Sequence, residues 1–121
     1  MELRPLVRNN MVRENGADGQ RLLPWPALNA PFEGAWVVVP AGGGTGVHSH
    51  HEYEIFIAVG GEAVVEANGE RRALQVGDIV HLPPGTEHRV INDAAADFEM
   101  YAIWWDPEMS ARFIARHGTR V

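Results

Sequence analysis

From Trp36 onward the apolar residues fall in short runs, each closed by a pair of turn formers. The runs are Trp36-Val37-Val38-Val39, Ile55-Phe56-Ile57, Ala63-Val64-Val65, Ile79-Val80-His81-Leu82 and Met100 to Trp105. The turn pairs are Gly60-Gly61, Asn68-Gly69, Gly77-Asp78, Pro84-Gly85 and Asn92-Asp93, seven to nine residues apart. Strands of four to eight residues joined by tight turns at that rhythm predict a β-sandwich or small barrel over residues 35–106. The rhythm stops at Asp106. Asp106 is placed to cap a short helix over 107–118, with Pro107 at its first position, Glu108 near its positive end and Gly118 to terminate it. Met109, Phe113 and Ile114 supply its apolar stripe. Residues 1–34 mix charge, Asn, Gly and Pro around one apolar patch, Leu22-Leu23-Pro24-Trp25-Pro26. They are expected to form an extended arm, packed on the barrel's sheet edge or on a second subunit.

Composition supports the same class and removes several chemistries. The 121 residues include 13 Gly and 8 Pro, too much punctuation for a helical bundle, and suffice for one domain with its own core. All ten basic residues are Arg, and Lys and Cys are absent, which excludes a Schiff base, a phosphate-loop lysine, a thiolate nucleophile and a disulfide. A net charge of −6 disfavours nucleic acid as a partner. No apolar run approaches the roughly 20 residues of a membrane span and no leader pattern stands at Met1, so no membrane partner and a cytoplasmic location are expected. Ser49 and Ser110 are the only serines, and neither sits in a nucleophile elbow.

The chemistry concentrates in one stretch. Five of the six His lie between 48 and 88, three of them in His48-Ser49-His50-His51. On an unbulged strand the side chains of His48, His50 and Glu54 share one face while His51 points away. His88, after the Pro83-Pro84-Gly85 turn, is the best placed fourth donor. Three neutral imidazoles and a carboxylate suit Fe, Mn, Co, Ni, Cu or Zn and leave coordination positions open for substrate. His51, His81 and His117 are expected at the surface. Gly42-Gly43-Gly44-Thr45-Gly46 precedes a strand rather than a helix, so it reads as a loop at the barrel mouth rather than a phosphate cradle.

These residues resemble the cupin superfamily, whose two motifs are G-x5-H-x-H-x3-E-x6-G and G-x5-P-x-G-x2-H-x3-N. Gly42, His48, His50, Glu54 and Gly61 fill the first; Gly77, Pro83, Gly85, His88 and Asn92 fill the second. The resemblance implies an all-β jelly-roll barrel binding one divalent transition metal per chain through His48, His50, Glu54 and His88. It also implies a small-molecule substrate, a homodimer, and a metal-dependent enzyme of dioxygenase or redox-neutral isomerase, cyclase or lyase type. The alternative is a non-catalytic ligand-binding or sensor barrel. Glu52 and Tyr53 flank the quartet and are the candidates for a catalytic group. Phe56 shares the ligands' parity and is expected to line the cavity. On the last strand Tyr101 and Trp105 share one face and Trp104 takes the other, so all three stand as pocket candidates with the face left open.

Overall fold

A computed structural model describes residues 1–118. After a single 3-10 turn at Arg8–Asn10 come nine strands: β1 (Val12–Glu14), β2 (Ala17–Arg21), β3 (Phe32–Val39), β4 (Tyr53–Gly60), β5 (Glu62–Ala67), β6 (Glu70–Gln75), β7 (Ile79–Leu82), β8 (His88–Ile91) and β9 (Phe98–Trp105). The helix α1 (Pro107–His117) follows. A six-stranded sheet has the order β1-β2-β3-β9-β4-β7, and a three-stranded sheet has the order β6-β5-β8. Every pairing is antiparallel. The two sheets face each other as a jelly roll that is not closed by a continuous ladder. Isolated bridges from Gly44 to Ile91 and from His48 to His88 tie the loop before β4 to β8.

The core lies between the sheets and follows the period of two. In β4 the inward positions are Glu54, Phe56 and Ala58, and in β9 they are Phe98, Met100 and Ala102. Val39, Val90 and Phe98 are almost wholly buried. Burying such side chains stabilises the fold by about 1.5–3 kcal/mol each. The turns follow their chemistry too: Asn68 and Gly69 both take positive φ, 49° and 81°, as a two-residue hairpin between β5 and β6 requires.

The N-terminal segment is more regular than an extended arm. Asn15 and Gly16, at φ 49° and 84°, form a second two-residue hairpin turn, so β1 and β2 pair with each other and β2 adds to the edge of β3. β3 itself starts at Phe32, opposite Trp105, ahead of the expected boundary at residue 35. The helix runs from Pro107 to His117. Asp106 accepts from the Glu108 N–H at 2.6 Å, and Gly118 at φ 78° donates to the Ile114 carbonyl. Its stripe is only half covered: Met109, Phe113 and Ile114 remain exposed beside Trp105 and Ile103 of the outer sheet face. Among the described residues no helix is long and apolar enough to cross a membrane.

Asn92, the last motif residue, is wholly buried and fully satisfied. Its Nδ2 donates to the Val39 carbonyl at 3.0 Å and the Ala96 carbonyl at 2.9 Å, and its Oδ1 accepts from the Ala94 N–H at 3.0 Å. Asn92→Ala strands those groups and is expected to cost about 3 kcal/mol. Thermal denaturation should show a Tm lower by on the order of 10 °C, with the metal content of the remaining folded protein unchanged.

Candidate metal centre

Three imidazoles meet at the inner surface of the barrel. One ring nitrogen from each of His48, His50 and His88 lies within 4.8 Å of the other two. An ion with bonds of about 2.1 Å spans donors up to about 4.2 Å apart, so only a small contraction is needed. The ring centroids are 4.4 Å apart for His48 and His88, 5.4 Å for His50 and His88, and 5.8 Å for His48 and His50. Glu54, on the inward face of β4, sends Oε1 to within 3.0 Å of His50 Nε2 and 3.3 Å of His88 Nε2. It joins the set through those two rings rather than through His48.

The route by which the quartet assembles differs from simple strand alternation. Residues 45–52 hold no regular strand: His48 makes an isolated bridge and His51-Glu52 form a bend before β4 begins. The fixed elements are the reciprocal backbone bonds between His48 and His88, at 3.2 and 3.0 Å, and the Gly85 N–H to His50 carbonyl bond at 2.8 Å. The separation of His50 from His51 survives, because His51 leaves its side chain 75% exposed.

The orientation of each ring is legible from its second nitrogen. His88 Nδ1 lies 2.8 Å from the Thr86 carbonyl and His48 Nδ1 lies 3.1 Å from the Gly46 carbonyl. A carbonyl accepts only, so His88 Nδ1 carries its proton there and leaves Nε2 with a free lone pair, whereas His48 Nδ1 stands between the Gly46 carbonyl and the Asn15 amide nitrogen at 3.2 Å. His88 Nε2 is buried without a hydrogen-bond partner, as is His50 Nδ1, whose closest carboxylate oxygen is Glu52 Oε1 at 3.4 Å. An orphaned imidazole nitrogen inside a ring of donors fits a cation, since an unsatisfied buried polar atom is otherwise costly.

The centre opens onto a cavity of about 170 Å³. Phe56, Val90, Met100, Ala102 and Trp104 give it an apolar wall, and Glu14, Asp18 and Arg21 from the N-terminal hairpin stand at its mouth. Arg21 packs its guanidinium over the Trp104 ring at 5.5 Å. Phe56 and Trp104 therefore line the cavity. Tyr101 and Trp105 do not, because their parity on β9 turns them to the outer face, where Tyr101 meets Trp36 edge to face at 4.9 Å. Tyr53 is on that outer face as well, stacked between His81 and Trp105, so it is removed from the quartet by one step of the pleat. Glu52 sits at the rim between the His50 and His51 rings, 3.4 and 3.5 Å away. The contribution of the hairpin to the cavity is absent from the sequence reading. Its signal was the Asn15-Gly16 pair, which is as strong a turn former as Asn68-Gly69.

The sequence profile described as Cupin domain matches residues 35–104, and the chain belongs to that family. A solved structure of a Cupin 2 conserved barrel domain protein from Salinispora arenicola is 52% identical, with a TM-score of 0.85 over 97% of this chain and 98% of that one. The plu4264 protein of Photorhabdus luminescens is 43% identical, with a TM-score of 0.85 over 94% and 95% of the two chains. A curated relative from Thermotoga maritima, named as an oxalate-binding protein, is 32% identical over 66 residues, 54% of each sequence. The matched segment thus spans about half of that relative's length.

Protonation competes with any ion at this centre. Burial opposes charge on His88, but the Glu54 carboxylate, 3.3 Å from Nε2 and able to accept from it only once that nitrogen is protonated, and the Thr86 carbonyl outweigh it, holding the metal-free imidazole above its ordinary value of 6.5. A raised value means that protonated His88 stabilises the metal-free fold below pH 6.5, a contribution lost as pH rises through the raised value. An ion requires the neutral ring, so its occupancy should begin to fall already above about pH 6.5 as the solution is acidified. Equilibrium dialysis against Zn²⁺ from about pH 8.5 down to about pH 5 checks this; occupancy flat to below pH 6 would contradict it.

Proposed function

We propose that the chain is a metal-dependent cupin enzyme that acts on a small oxygen-bearing organic molecule, as an Fe(II)-type dioxygenase or as a redox-neutral isomerase, cyclase or lyase. The observation that carries this reading is the orphaned His88 Nε2 facing Glu54 and two further imidazoles at the end of an apolar cavity. One divalent transition ion held by His48, His50, Glu54 and His88 would polarise a chelating oxygen substrate or, if redox-active, support dioxygen chemistry. The chain's own residues do the rest. Phe56, Met100, Ala102 and Trp104 exclude water and favour a compact apolar body. Glu52 offers the nearest acceptor for a proton on His50 Nδ1, which keeps that ring's other nitrogen on the ion. The half-covered stripe of α1 beside the outer sheet face supports pairing of two chains in a homodimer.

A binding-only reading has one specific support, the name of the Thermotoga maritima relative as an oxalate-binding protein. Turnover separates the two. Protein purified without chelators is analysed for metal, loaded with Fe²⁺ and presented with oxalate and a panel of hydroxy and keto acids in an oxygen electrode cell. Oxygen uptake with product marks a dioxygenase, product without uptake marks the redox-neutral class, and calorimetric binding of oxalate without product marks the binding protein. His50→Ala and His88→Ala should each lower metal affinity at least about 100-fold, whereas His51→Ala should change it by less than about twofold. Equal losses in all three would remove the site from those residues.

A further inference from the structure

The β1–β2 hairpin lies outside residues 35–104, yet its turn touches a metal ligand. Asn15 Oδ1 accepts from the Gly46 N–H at 3.1 Å, which settles which way the amide faces, because a backbone N–H can only donate. Nδ2 is thereby set 3.3 Å from the Gly46 carbonyl and 3.2 Å from His48 Nδ1. The same carbonyl is the 3.1 Å acceptor for His48 Nδ1. One side chain thus grips both backbone groups of the residue that orients the first ligand.

The contact between turn and loop has no slack. A Cβ on Gly16 would stand 2.2 Å from the Gly44 carbonyl oxygen, and a Cβ on Gly46 would stand 2.5 Å from Asn15 Oδ1. On the opposite side Thr45 pins the loop to β8: its N–H donates to the Val90 carbonyl and its hydroxyl accepts from the Val90 N–H, both at 2.9 Å. The loop carrying His48 is therefore clamped between the strand that carries His88 and the N-terminal hairpin.

We infer that Asn15 is a positioning residue for the metal centre: by bonding both backbone groups of Gly46 it fixes the loop that carries His48 and so aims that imidazole at the other donors. This rests on the metal-binding reading above. Ligand orientation by an outer partner is commonly worth ten- to a hundredfold in metal affinity.

The test uses the full chain stripped with chelator and titrated with Co²⁺, followed by calorimetry and visible absorption. Asn15→Gly removes the amide while keeping the turn's positive φ, and Gly46→Ala displaces the same clamp from the other side. Both should weaken Co²⁺ binding by about 10- to 100-fold, with the Tm of the metal-free protein changed little in Asn15→Gly. At saturation the visible bands of the Co²⁺-loaded Asn15→Gly protein should differ in position or intensity from those of wild type, because a His48 ring that is no longer aimed alters the coordination geometry. Co²⁺ affinity within twofold of wild type in Asn15→Gly, alongside a large loss in His48→Ala, would overturn the role of Asn15 and leave the metal site standing. A saturated Co²⁺ spectrum in Asn15→Gly superimposable on that of wild type would overturn it as well. Wild type that takes up no Co²⁺ would bring down the metal reading and this inference together.

Discussion

The two backbone hydrogen bonds exchanged by His48 and His88 are what the site depends on. They join segments forty residues apart in sequence, outside the ladder of either sheet. Antiparallel partners that exchange both bonds sit about 5.5 Å apart at Cα, close enough for two imidazoles to share an ion. His50 is then added from the irregular segment before β4, and Glu54 from β4 itself, whose register with β9 runs unbroken from Tyr53 to Ala58. A slip of one residue in that register would exchange Glu54 for Tyr53 and replace a buried ligand with an outward aromatic.

Burying a carboxylate and an imidazole in an apolar barrel is unfavourable unless they find partners. Glu54 and His88 are 6% and 2% exposed, and they face each other and His50. Metal-free, Glu54 and the Thr86 carbonyl favour the charged His88 ring over its burial. An ion held there would take the place of that proton. The surrounding structure contributes rigidity through groups that have no chemistry of their own, Asn92 beneath β8 and Thr45 above it.

Much of this was legible in the chain. Asp106, Pro107 and Gly118 mark the helix ends because each supplies a specific backbone need, and the glycines at 61, 77 and 85 take the positive φ their turns demand. The spacing of His48, His50, Glu54 and His88 brought together four side chains that the structure places side by side, with the three imidazoles close enough to hold one ion. The hairpin at Asn15-Gly16 was masked by its surroundings: β1 has no buried residue and β2 is Ala-Asp-Gly-Gln-Arg, with no hydrophobic alternation to announce a strand. Its strands form because β3 offers an unpaired edge, a tertiary cause that local pattern does not carry. The facing of Trp104 and Trp105 likewise needed the register with β3 and β4, because both parities of β9 are apolar.

That last pair of residues has an optical meaning. Two indoles one step apart in the chain look in opposite directions, Trp104 toward the donor cavity under the Arg21 guanidinium and Trp105 toward the outer sheet beside Tyr53 and the helix. Light emitted by the first responds to whatever enters the barrel, while the second senses what settles on its outside. With Trp25 and Trp36 replaced by Phe, the fold would leave one internal and one external fluorophore on a single strand, each a reference for the other.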